Sequence, residues 1–160
     1  MVLQGEPASR VTAYVALGAN LGDARAAVQV AVNDLNGLAH TALLCASSLY
    51  QTAPVDSTGP DYINAVAAIS TALSPHELLA ALQSLEQAAG RQRPYLNAPR
   101  TLDLDIVFYG DTVMTTADLV IPHPRMWQRA FVLLPLAEIA PNLVSSAQRL
   151  AVSGQAIAKI

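Results

Sequence analysis

Apolar and polar positions divide the chain into alternating short segments. Residues 11–17, VTAYVAL, read as a strand that breaks at Gly18. Asp23 then caps a helix whose apolar positions Val28, Ala31, Val32 and Leu35 recur at helical spacing, and Gly37 closes it. Residues 41–52, TALLCASSLYQT, predict a second strand, followed by a loop of turn formers, APVDSTGPD. YINAVAAISTAL predicts a third strand, weakened by its alanines. SPHELLAALQSLEQAAG carries the clearest helix signals: Ser74 as cap, Pro75 at the first position, Glu77 closing a capping box and Gly90 at the end.

An arginine-bearing loop, RQRPYLNAPR, leads to the strand RTLDLDIVFYG. A small hairpin and a helix near residues 131–139 complete the pattern. The order β-α-β-β-α-β with additions predicts an α+β, ferredoxin-like sandwich: an antiparallel sheet with helices on one face, plus a small C-terminal hairpin and helix. A chain of 160 residues is long enough to bury one core, so residues 11–160 are expected to form one domain behind a flexible tail, 1–10.

Strand alternation places Leu102, Leu104, Ile106 and Phe108 on one face, and Thr101, Asp103, Asp105 and Val107 on the other. The two aspartates then stand about 7 Å apart, twice a rise of roughly 3.4 Å. Like charges so close repel, and acids are disfavoured in strands. Carboxylates in this arrangement converge on one cation or bridge two, and Mg2+ fills its remaining positions with water and substrate phosphate. The competing reading is a solvent-facing strand whose acids stay hydrated.

Composition sharpens this picture. The chain is 52% hydrophobic and carries a net charge of −3, which argues against a nucleic-acid surface. No apolar run reaches membrane-spanning length, and the start lacks an apolar signal core, so a cytoplasmic protein is expected. The single cysteine, Cys45, excludes an internal disulfide and is expected to be a small buried strand residue. Arg91, Arg93, Arg100, Arg125 and Arg129 cluster in one part of the sequence, and guanidinium forks suit phosphate. Together these features point to a small anionic ligand.

With LGANLGD, RTLDLDI and IPHPRMWQRAF present in that order, the chain resembles the 6-hydroxymethyl-7,8-dihydropterin pyrophosphokinases of folate biosynthesis. The resemblance implies a ferredoxin-like fold and transfer of pyrophosphate from ATP to the pterin hydroxymethyl group, with release of AMP. It implies that Asp103 and Asp105 ligate two Mg2+ ions, and that Arg91 and Arg100 stabilise the transferring phosphates. It matches Gln83, Glu86, Arg93, Arg100, Ile106, His123 and Arg129 to ATP contacts. Thr52, Val55, Tyr62, Asn64 and Phe131 match the pterin side.

Small-molecule substrates, no nucleic acid, no membrane and a monomer are expected. The chain departs from the family pattern at Leu96 and Asn97, where many members carry Arg-Trp. The segment after Asn142 is weakly matched. Competing readings are another metal-dependent phosphotransferase or hydrolase on this frame, or a non-catalytic nucleotide-binding module.

Overall fold

The computed structural model describes residues 9–54, 59–90 and 102–160. Val55, Arg91, Arg93, Arg100 and Thr101, with Leu96 and Asn97, lie outside these described residues.

The sheet is built around β1 (Val11–Ala19) and β4 (Tyr62–Thr71), which pair antiparallel over the whole length of β1. β5 (Asp103–Tyr109) lies against the other edge of β1. The far edge of β4 carries β2 (Thr41–Ala46) and β3 (Tyr50–Thr52). The expected single strand over 41–52 is therefore two, because the backbone leaves the ladder at residues 47–49. A final strand, β8 (Ile157–Lys159), pairs with β3, so the weakly matched C-terminal segment returns to the sheet. A separate two-stranded hairpin joins β6 (Met114–Thr115) and β7 (Val120–Ile121).

Capping chemistry sets the helix starts. α1 (Ala24–Asn36) begins where the Asp23 carboxylate accepts from the Ala26 amide at 3.0 Å. α2 (Pro75–Gly90) begins with the expected reciprocal box: the Ser74 amide donates to Glu77 Oε1 at 2.8 Å, and the Glu77 amide donates to Ser74 Oγ at 3.2 Å. These bonds hold the exposed Glu77 carboxyl below the usual range.

The helices lie on both faces of the sheet, not one. Val28, Ala31 and Leu35 of α1 and Leu78 and Leu82 of α2 pack on Ala13, Val15, Leu17, Ile69, Leu104 and Ile106. The opposite face is covered by α3 (Ala130–Ile139), whose Val132, Leu133 and Leu136 meet Val66 and Val107. The short α4 (Ser146–Ala151) follows α3, and Val152 just beyond it is buried in the same cluster. Because β4 is covered on both sides, it reads as a continuous run of small apolar residues without alternation. That is why its alanines weaken the strand signal.

Bulges correct two further expectations. Tyr14 pairs with Phe108 but Val15 pairs with Ile106, so Val107 is an extra residue in β5. Phe108 thereby leaves the face of Leu104 and Ile106 and stacks edge-on between Tyr14 and Trp127, at 6.4 and 6.1 Å. A similar irregularity at Leu44 in β2 turns Cys45 outward, so the cysteine is exposed.

Candidate active site

The open end of the α3 face holds a cavity of about 950 Å³. Its floor is the centre of the sheet: Ala16, Leu17 and Gly18 of β1, flanked by Asn64 of β4 and by Asp103 and Asp105 of β5. One wall is formed by Thr52, Ala53, Pro54 and Tyr62. The other is formed by His123, Arg125, Gln128, Arg129 and Phe131, where the chain enters α3.

Gly18 does not end the first strand. It lies inside β1, between Asn64 on one side and Asp103 on the other. A Cβ at this position would stand 3.0 Å from Asn64 Oδ1, so the missing side chain leaves room for the Asn64 carboxamide. That carboxamide is 4% exposed, and its Nδ2 donates to Thr52 Oγ1 at 3.0 Å. A fixed amide in an enclosed pocket suits a flat, hydrogen-bonding heterocycle. Gly22, at φ +58, makes the turn that the LGANLGD stretch requires before α1. Asn20 reaches from this turn to the Pro60 carbonyl through a long 3.5 Å bond.

The acidic end is organised by the β5 bulge. The Val107 carbonyl accepts from the His123 amide at 3.1 Å, which draws the loop after β7 against the strand carrying the aspartates. Asp103, Asp105, His123, Pro124, Arg125 and Arg129 line a second hollow that continues the first. His123 Nδ1 accepts from the Arg125 amide at 3.2 Å, which leaves Nε2 as the protonated nitrogen of the neutral ring. Burial pushes the His123 pKa down, Arg129 and Arg125 add to that, and Asp105 opposes it. The ring is therefore neutral near pH 7 and presents an N–H donor.

The donor set fits Mg2+. Asp103 and Asp105, on one strand face, are the residues that would hold the ion through carboxylate oxygens. Among the described residues no cluster of three or more His, Cys, Asp or Glu side chains forms a closed cage. Two carboxylates leave coordination positions for water and phosphate, the pattern expected where the metal is shared with a nucleotide.

The structure brings together Thr52, Tyr62, Asn64, Phe131, Asp103, Asp105, His123 and Arg129 around the cavity. It sets Gln83, Glu86 and Ile106 elsewhere. Gln83 is exposed on α2, and Glu86 Oε2 accepts from the Leu104 amide at 2.8 Å, on the edge of β5. The Ile106 side chain is 3% exposed in the α1/α2 core. Arg125 and Gln128 were not singled out by sequence. The arginine cluster contained a signal for the first, whereas nothing in the sequence marked the second.

The model of the family described as 7,8-dihydro-6-hydroxymethylpterin-pyrophosphokinase (HPPK) matches residues 14–141. The 2-amino-4-hydroxy-6-hydroxymethyldihydropteridine pyrophosphokinase of Pseudomonas aeruginosa is 44% identical over 131 residues, 81% of this chain and 81% of its own. The enzyme of the same name from Haemophilus influenzae is 44% identical over 135 residues, 84% of each chain. Among solved structures, wild-type Plasmodium falciparum HPPK-DHPS superposes with a TM-score of 0.66 at 14% identity. That alignment covers 96% of this chain and 42% of the other, and it carries the likeness of fold alone. Family match, near relatives and the paired aspartates facing a buried amide agree, and the chain belongs to the 7,8-dihydro-6-hydroxymethylpterin-pyrophosphokinase family.

Proposed function

We propose that the chain transfers pyrophosphate from ATP to the hydroxymethyl group of 6-hydroxymethyl-7,8-dihydropterin, a step of folate synthesis. The observation that carries the reading is the joint placement of Asp103 and Asp105 on the cavity face of β5, across Gly18 from the Asn64–Thr52 pair. The pterin hydroxymethyl oxygen forms a bond to the β-phosphorus of ATP, and the bond from that phosphorus to the α–β bridging oxygen breaks. The hydroxyl proton is released, and AMP leaves with the bridging oxygen.

In this reading Asn64, Thr52, Tyr62 and Phe131, with Val55, hold the pterin ring. Asp103 and Asp105 hold Mg2+, and we assign two ions to them. Bound there, Mg2+ neutralises phosphate charge that builds up as the pyrophosphoryl group moves. Arg129 and Arg125 hold phosphate oxygens with their planar forks, and His123 donates a neutral Nε2–H. Arg91 and Arg100 stabilise the transferring group, and Arg93 supports the nucleotide. Gln83 and Glu86 serve the nucleotide from the α2 side. With its side chain in the core, Ile106 reaches the nucleotide only through its main chain.

We further assign the sheet to the ferredoxin-like class. The strand order β5-β1-β4-β2, all antiparallel, with α1 and α2 as connections, supports this. No helix among the described residues is long and apolar enough to cross a membrane. We expect a monomer acting on small molecules.

Incubation with Mg-ATP and the dihydropterin alcohol, followed by separation of nucleotides, tests the reaction. AMP is the expected product. ADP or inorganic phosphate as the main product rules the reading out.

A further inference from the structure

The C-terminal segment lies beyond the matched residues 14–141, yet Gln155 and Ala156 line the main cavity. Gln155 is held from both sides. Before it, Val152 is buried in the α3 cluster, and the Gln155 amide donates to the Val152 carbonyl at 3.1 Å. After it, β8 pairs with β3, the strand that ends in Thr52.

Both ends of the Gln155 carboxamide are engaged. Its Oε1 accepts from the Ala130 amide at 3.0 Å, and its Nε2 donates to the Gln128 carbonyl at 2.8 Å. Ala130 is the first residue of α3, and its N–H has no acceptor within the helix. The residue in the capping position is Arg129, whose guanidinium carries donors only and makes no capping bond. The cap is supplied instead by a side chain 25 positions later. The two bonds grip the peptide groups on either side of Arg129. The Arg129 guanidinium lies 5.3 Å from the centre of the Phe131 ring and faces the hollow that holds Asp103 and Asp105.

We propose that Gln155 is a positioning residue for Arg129: it fixes the backbone from which that guanidinium reaches the nucleotide phosphates. The C-terminal segment, through Gln155, then sets nucleotide affinity. This rests on the pyrophosphokinase reading. Neither Gln155 bond is made to a peptide group of Phe131, so the pterin side depends far less on Gln155.

Gln155→Met keeps the length of the side chain and removes both hydrogen bonds. Calorimetry with a non-hydrolysable Mg-ATP analogue and, separately, with the dihydropterin alcohol reads the two ends of the cavity. The nucleotide is expected to bind about fivefold to tenfold more weakly, the size of one or two lost hydrogen bonds. Pterin affinity should stay within about twofold of the parent. In an Arg129→Ala background, Gln155→Met should weaken the nucleotide no further, since its route of action is gone. Unchanged nucleotide affinity in the single variant, or a full additional loss in the double variant, overturns the proposal. Amide exchange at Ala130, followed by NMR in the ligand-free protein, should accelerate in Gln155→Met, and unaltered exchange likewise overturns it. Should the parent protein bind no nucleotide, the pyrophosphokinase reading fails, while Ala130 exchange still decides whether Gln155 braces this segment.

Discussion

The two faces of the sheet are covered in different ways. Under α1 and α2 the inner positions of β1, Ala13, Val15, Leu17 and Ala19, are at most 2% exposed and belong to one apolar cluster. Under α3 the outer positions of the same strand divide. Tyr14 and Ala16 pack toward the helix, whereas Gly18 opens into the cavity. The first face obeys the rule that a sheet buries its apolar side. The second obeys it at one end and breaks it at the other, where Asn64, Asp103 and Asp105 occupy positions that alternation would give to a core. Polar residues set into an otherwise apolar ladder mark the place where stability has been given up for binding.

The sharpest way to test that contrast is to remove the charges without changing shape. Asp103→Asn and Asp105→Asn should each lower turnover by about a hundredfold or more, the scale for losing one electrostatic stabiliser of a developing charge. Melting temperature measured in EDTA should change far less than turnover, because the main loss falls on stabilisation of the transferring group. An active variant, or one with a badly lowered melting temperature, would place these acids in the structural half of the molecule.

Next in size is the pterin end. Asn64→Ala should weaken dihydropterin binding by about 1–2 kcal/mol and leave the nucleotide untouched, since it removes one enclosed amide and leaves Thr52 without its donor. Gly18→Ala should do the same by a smaller amount, by pushing a Cβ to 3.0 Å from Asn64 Oδ1. Calorimetry that finds equal losses for both ligands would count against a separate pterin end.

The smallest effect tests the joint between the layers. Glu138 on α3 accepts from the Tyr50 hydroxyl at 2.7 Å, and from the Ser48 amide and hydroxyl at 2.9 and 3.0 Å. Burial alone would push its carboxyl up, but these bonds, with Lys159 nearby, hold it below the usual range. A depressed carboxyl contributes stability that is present above about pH 4.5 and lost as pH falls through the folded value. Glu138→Gln should therefore cost about 1 kcal/mol at pH 7, discounted for exposure, and less at pH 3. Denaturant titrations at both pH values decide it, and equal losses would remove the charge from the account.

Much of this molecule could be read before it was seen. Asp23, Ser74 and Glu77 announced their helices, because capping is a local contract between a side chain and amides two or three residues away. The aspartate pair was legible for the opposite reason, as a violation of strand preference. What escaped depended on distant neighbours. Gly18 looked like a strand end because its reason for being glycine is Asn64, on the next strand. Phe108 and Cys45 were put on the wrong sides, since bulges carry no signature in alternation. Helices on both faces were missed because nothing within α3 states which side of a sheet it will cover. Arg91, Arg93, Arg100 and Val55 lie outside the described residues, and their assigned roles rest on resemblance.

The extra residue at Val107 has a consequence for where this strand aims its side chains. β5 is written in two reading frames. Upstream of Val107 the frame points the aspartates at the cavity and Leu104 at the α1/α2 core; downstream it points Phe108 at Tyr14 and Trp127. Because the frames are out of step, Val107 and Phe108 both face the α3 side, while Leu104, Ile106 and Tyr109 share the other. The His123 amide, bonded to the Val107 carbonyl, pins that junction from outside the sheet. The bulge thus re-aims the end of the strand, so that one continuous segment serves both the cavity and the aromatic packing beside it.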